Sequence, residues 1–149
     1  MPDLLTSGNP ETATYLIVYE APHEEDLRLG RCLSDGYGQS FWRIAAKCGI
    51  QRTDCFIIPT IGESCEHGKS SKLWNDWWDA FDAAVGSFRG RVAICLGGDA
   101  FHRATGLRGS HQDWAGYLIH PNERAGLTRT RLVASEYKSA NKRKGIKKG

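Results

Sequence analysis

The sequence predicts a three-layer α/β/α domain built on a central, mostly parallel four-stranded sheet, and three observations carry that expectation. Short, nearly continuous apolar runs recur at Tyr15-Leu16-Ile17-Val18-Tyr19, Cys55-Phe56-Ile57-Ile58 and Val92-Ala93-Ile94-Cys95-Leu96. Runs of this length, rich in β-formers, suit strands buried on both faces. Between them lie stretches of helical period, and strand alternating with helix builds β-α-β units whose crossover helices cover a parallel sheet.

Taken in order, residues 1–12 are polar, contain two prolines and read as a flexible N-terminus. The first strand follows at Tyr15, and the first helical face is Phe41, Ile44, Ala45 and Cys48. A second helix presents Leu73, Trp77, Phe81 and Ala84, widened by Trp78 and Val85, with Ser70 or Ser71 as its cap before Lys72. The third strand ends in Gly97-Gly98-Asp99, where a close turn opens into a helix. A fourth strand is expected at Tyr117-Leu118-Ile119 and a last helix over 130–142. One α/β domain over 13–137 and a basic tail over 138–149 complete the reading.

At 149 residues and 40% hydrophobic content the chain can bury one core and is too short for two ordinary domains. No apolar run approaches the roughly 18 residues of a membrane span, and no signal-peptide pattern opens the chain. A cytoplasmic monomer with no membrane partner is expected. Five cysteines, an odd number without C-x-x-C spacing, argue against a disulfide framework and fit a reducing compartment. The net charge of +3 conceals an asymmetry: Lys138, Lys142, Arg143, Lys144, Lys147 and Lys148 stand in the tail with no acid, leaving the rest at −3. Such a tail is either a solvated terminus or an arm that tracks phosphates.

In open α/β sheets the ligand site lies beyond the carboxyl ends of the strands. Polar segments follow three of them, at Glu20-Ala21-Pro22-His23-Glu24-Glu25-Asp26, Pro59-Thr60-Ile61-Gly62 and His120-Pro121-Asn122, and they are expected to converge. A carboxylate opposite a histidine suits a reaction that passes through a sugar cation and a departing anion. The acid orients water or stabilises the cation, and the imidazole donates to the oxygen on which the leaving base gathers charge. On residue type alone, Glu24-Glu25-Asp26 reads more readily as solvated surface and His120 as a structural histidine.

A longer pattern adds to this. Tyr19-Glu20-Ala21-Pro22-His23, followed by Asp26, Arg28, Gly30-Arg31 and Gly38-Gln39, resembles the G-E-A-P-G…D-R-x-G-R-P-F-V-G-x-A-G-Q segment of the iron–sulfur (family 4) branch of the uracil-DNA glycosylase superfamily. Val92 to Ala100 is similar to that family's strand and L-G-x-x-A turn, Arg108-Gly109 to its R-G element, and His120-Pro121-Asn122 to its H-P-S element. The resemblance implies a DNA glycosylase that extrudes its target nucleotide from the duplex. It implies that Glu20 assists attack on the sugar, that Asp26 is a second functional acid and that His120 contacts the base and supports its departure. DNA is the implied partner, with Arg108, Pro121, Asn122 and tail residues Lys142, Arg143, Lys144, Lys147 and Lys148 on the backbone.

The departures from the family pattern bear on the base pocket, expected to comprise Ala21, Pro22, His23, Leu33, Pro59 and Thr60. Leu33 replaces the phenylalanine that stacks on uracil, Pro59-Thr60 replaces a threonine–asparagine pair whose amide reads the base edge, and His23 replaces a glycine. The expected substrate is uracil or, more in keeping with these changes, a modified or aberrant pyrimidine. The family's cluster needs four thiolates, two of them from an N-terminal C-x-x-C that is lacking here, so neither a cluster nor any other cofactor or metal is expected. Cys65-Glu66-His67 is too little for a zinc site. Trp74, Trp77 and Trp78 read as packing, whereas Trp114 precedes a strand and can face nucleic acid. With no lysine in these motifs suited to a Schiff base, the expected enzyme is monofunctional. Two other readings stand beside it: a module that recognises modified bases without cleaving them, and a small-molecule enzyme acting on a free nucleoside or nucleotide.

Overall fold

The computed structural model describes residues 3–64, 71–106, 118–119 and 131–135. Its strands are β1 (Tyr15–Tyr19), β2 (Cys55–Pro59), β3 (Val92–Leu96), β4 (Leu118–Ile119) and β5 (Arg131–Ser135). The helices are α1 (Glu24–Leu29), α2 (Gly36–Lys47), α3 (Ser71–Asp76), α4 (Trp78–Ser87) and α5 (Gly98–Thr105). Among the described residues the sheet has five strands, ordered β2-β1-β3-β5-β4, rather than the four expected. β1 lies between β2 and β3, parallel to both, with Tyr19 opposite Pro59 on one side and Leu96 on the other. β5 runs parallel to β3, ending with Ser135 opposite Leu96, and β4 is an antiparallel edge.

Alternation along the strands divides the core between two faces, which is the α/β/α layering expected. Leu16, Val18, Phe56, Ile58, Ala93 and Cys95 pack against Trp77, Phe81 and Val85 and against Ala100, Phe101 and Ala104 of α5. Ile17, Tyr19, Cys55, Ile57 and Leu96 face the other way, towards Tyr37, Phe41 and Trp42 of α2. Ile44, expected on the buried face of that helix, is 62% exposed. The helix begins earlier, capped by Asp35 accepting from the Gly38 N–H at 2.9 Å, and its buried stripe runs through Gly38 and Ala45.

Three further expectations are corrected. The segment expected to be loose before residue 13 is held from Leu4 onward: Ser7 and Ile57 exchange backbone hydrogen bonds of 3.0 and 2.8 Å, and Leu4 is only 8% exposed. Pairing with the outer edge of β2 satisfies a strand that otherwise has a free ladder. The second helix breaks at Trp77, whose indole packs on Gly62 so closely that a Cβ there would lie 2.3 Å from it, and whose Nε1 donates to Glu63 at 3.1 Å. Finally, Arg131–Ser135 is a strand where a helix was expected. A five-residue run such as Arg-Leu-Val-Ala-Ser has no decisive period, and the open edge of β3 decides its state.

Candidate active site

The parallel register brings the carboxyl ends of β1, β2 and β3 side by side, and the candidate site is assembled there from the loop that follows β1. Asp26 anchors that loop from beneath. Fully buried, its carboxylate accepts from the Tyr19 hydroxyl at 3.0 Å, the His23 N–H at 3.3 Å and the Ser34 N–H at 2.7 Å, tying both ends of the segment to the strand. Burial, then the nearby Cys32 and Asp26, raise the Tyr19 phenol far above its ordinary range, so it stays a donor. Asp26 therefore holds the loop in shape rather than facing a ligand.

Glu20 is half-buried at the start of this loop, and its backbone is clamped by Thr60. The Thr60 N–H donates to the Tyr19 carbonyl at 2.9 Å and to the Glu20 carbonyl at 3.3 Å, and its hydroxyl also donates to the Glu20 carbonyl. Thr60 is itself fully buried, and its own carbonyl accepts from Arg103 of α5 at 3.2 Å. Arg103, 3% exposed, donates to the Trp74 carbonyl at 2.8 Å and lies 4.1 Å and 4.4 Å from the ring centres of Trp74 and Trp78. These tryptophans pack, as expected, although on a buried cation that sequence reasoning missed.

On the other side of Glu20, His23 Nδ1 lies 2.8 Å from Asp35 Oδ2, joining the loop to the cap of α2. Burial, followed by the charges of Glu20 and Asp35, pushes the Tyr37 phenol up to about 12. Glu20, His23, Asp35 and Tyr37 thus share one electrostatic neighbourhood. Asp35 and Tyr37 were not singled out in the sequence, although an Asp three residues before the Gly38 N–H it caps is a readable helix start. Arg103 sits among apolar neighbours on an amphipathic helix and offers no such signal.

The remaining pocket residues are placed as follows. Ala21 is 7% exposed, Pro22 is buried and Pro59 is buried opposite Tyr19. Leu33 is 2% exposed, packs with Tyr19 and Ile57 beneath the sheet, and holds a left-handed backbone with φ 52°. Its carbonyl accepts from Trp42 Nε1 at 3.2 Å and is approached so closely by Gly38 that a Cβ on that glycine would lie 2.0 Å away. A non-glycine residue persists in that conformation only where its surroundings impose it.

The convergence expected of a fourth parallel strand is not what the sheet shows. Ile119 pairs with Leu132, which pairs with Ala93, so β4 runs away from the site and ends about 10 Å short of the level of Leu96, three strands from β1. The carboxyl end that does lie beside that of β3 is Ser135. His120, Arg108, Trp114, Pro121, Asn122 and tail residues Lys142, Arg143, Lys144, Lys147 and Lys148 fall outside the described residues.

Residues 5–144 match the profile of the Uracil DNA glycosylase superfamily, a span that includes every strand of the sheet and the whole candidate site. The chain belongs to the uracil-DNA glycosylase superfamily. No curated protein matches it. Membership gives DNA glycosylase chemistry as the class of activity and DNA as the class of substrate.

The described thiols of this superfamily member do not fit a four-thiolate cluster. Cys32 and Cys55 are buried beneath the sheet, Cys95 is buried on the opposite face and Cys48 is exposed at the end of α2. The Cys32 thiol lies 3.5 Å from the Leu5 carbonyl and 3.6 Å from that of Ile57. Among the described residues no group of three or more His, Cys, Asp or Glu is placed to hold a metal ion. No described helix is long and apolar enough to cross a membrane.

Proposed function

We propose that the protein is a monofunctional DNA glycosylase that hydrolyses the N-glycosidic bond of a modified or aberrant pyrimidine and leaves an abasic site. The observation that carries this is the double grip of Thr60 on the Glu20 backbone, which fixes a half-buried carboxylate at the carboxyl end of β1. Glu20 aligns a water on the sugar and stabilises the cation that forms as the base departs with the bonding electron pair. The water oxygen bonds to the sugar carbon, and Glu20 takes its proton. Asp26 is a positioning residue, because its oxygens are engaged with Tyr19, His23 and Ser34.

Specificity follows from the same geometry. The Thr60 hydroxyl is committed to Glu20 and leaves no amide-like reader at this position, and the Leu33 side chain is packed beneath the sheet. Tyr37, half-buried beside Glu20, supplies an aromatic surface and a phenolic donor in their place. His23, tied to Asp35, occupies room that a glycine would leave open. These features favour a base other than unmodified uracil. The basic tail supplies sequence-independent affinity for the backbone.

The loss of two base-reading groups also favours a second reading, a module that recognises a modified base without cleaving it. One assay separates the two: alkali-induced strand cleavage on labelled oligonucleotides carrying uracil, a thymine mismatch, 5-hydroxymethyluracil or a bulkier pyrimidine. The enzyme reading expects cleavage of at least one substrate and its loss by about 10²-fold or more in Glu20→Gln, with DNA binding retained. Tight binding without cleavage of any substrate would establish the recognition module.

A further inference from the structure

Along the outer edge of β2 lies a cavity of about 410 Å³ lined by Thr6, Ser7, Arg31, Arg52 and Thr53. Its strand residues are Cys55 and Ile57, in the amino-terminal part of β2, so it lies roughly 10 Å below the strand ends where Glu20 sits. Two guanidiniums line this one hydroxyl-rich space, and among the described residues neither forms an ion pair. Arg31 is exposed, and its backbone N–H donates to the Asp26 carbonyl at 3.0 Å. Arg52 is half-buried, donates to the Cys32 carbonyl and lies 5.0 Å from the Trp42 ring centre.

The described acids nearest these guanidiniums bond to neutral donors rather than to either arginine. Both oxygens of Asp26 accept hydrogen bonds from its own loop, and Asp54 accepts from the Gln51 N–H at 3.1 Å. Burial and then the like charge of Arg31 lower the pKa of Arg52, outweighing the smaller opposing pull of Cys32, Asp26 and Tyr19, so the half-buried guanidinium is repelled by its neighbour. A bound anion would relieve that repulsion. Guanidinium forks match phosphate oxygens bidentately, and the hydroxyls of Thr6 and Thr53 add donors of the right kind. The volume is that of a small-ligand site, large enough for a phosphate with the sugar it is attached to.

We propose that this cavity is a phosphate-binding site built on Arg31 and Arg52, separate from the catalytic end of the sheet. The phosphate is either a diester of the DNA backbone or a free phosphomonoester. The site does not depend on the chemistry at Glu20, so phosphate binding and base excision can fail independently.

The test uses the full chain and two variants of the exposed partner, Arg31→Gln and Arg31→Lys. Inorganic phosphate is titrated while the arginine Nε–H resonances are followed by NMR, and the DNA affinity is measured across a salt series. The site predicts saturable shifts at Arg52, with the phosphate Kd weakened about tenfold in Arg31→Gln and partly restored in Arg31→Lys. A salt slope shallower by about 0.9 in Arg31→Gln identifies the backbone diester as the source, and an unchanged slope with phosphate binding lost identifies a free phosphomonoester. Absence of saturable phosphate shifts together with an unchanged DNA salt slope would overturn the proposal. Unaltered thermal unfolding of Arg31→Gln, expected for an exposed side chain, separates loss of the site from loss of the fold.

Discussion

The hydroxyl of Thr60 donates to the carbonyl oxygen of Glu20, so the residue that follows β2 holds the backbone of the acid that opens the loop after β1. Parallel pairing places these two residues beside each other although they stand 40 positions apart in the chain. Because Arg103 donates to the Thr60 carbonyl, the position of Glu20 also depends on α5.

Thr60→Val keeps the shape and removes the hydroxyl. It should cost about 1 kcal/mol of stability, since the part-buried Glu20 carbonyl loses one of its two donors, and it should lower kcat more than it raises KM. Thr60→Ser should restore most of both. Steady-state kinetics on the substrate identified by the oligonucleotide assay, together with thermal unfolding, check this; an unchanged kcat in a folded Thr60→Val would show that the clamp does not serve catalysis.

Tyr37 is expected to provide the aromatic surface of the pocket. Tyr37→Phe should retain most DNA affinity, whereas Tyr37→Ala should lose about 1–3 kcal/mol of binding to DNA containing the target base. Equal losses in both would assign the effect to the hydroxyl instead.

Cys95 is fully buried, and burial pushes its thiol up to about 12 from an ordinary 9.0. The native state therefore holds this proton more tightly than the unfolded chain does. The resulting stability is fully present below pH 9 and is lost as pH rises towards 12, with a slope of about 1.4 kcal/mol per pH unit from this group. Chemical denaturation between pH 8 and 11 should show the decline, and Cys95→Ala should make it shallower by that amount while lowering stability at pH 7.

The direction of β4 makes a prediction about the leaving base. Ser135, not Ile119, ends beside Leu96. His120→Ala should therefore reduce turnover less than Glu20→Gln does. The reverse order would show that the residues after Ile119 double back to the site. Deleting 138–149 should additionally weaken DNA binding and flatten its dependence on salt.

Local pattern alone determined the three parallel strands and their order along the chain, because runs such as Leu16-Ile17-Val18 are apolar on both faces and have no other stable use in a chain of this size. It determined the helix opened by Gly97-Gly98, since a glycine at φ 102° there permits the turn, and it pointed to Glu20 and Asp26 as acids at a strand end. It did not distinguish their parts. Asp26 became an anchor and Glu20 the half-buried group at the strand end only when Tyr19, His23 and Ser34 closed round one carboxylate and Thr60 took the backbone carbonyl of the other residue. Tertiary structure likewise decided that Arg131–Ser135 is a strand, that Trp77 breaks a helix against Gly62, and that Arg103 lies buried between two tryptophans. Each depends on a partner distant in sequence, and a short segment of mixed propensity takes the conformation its partner can pair with.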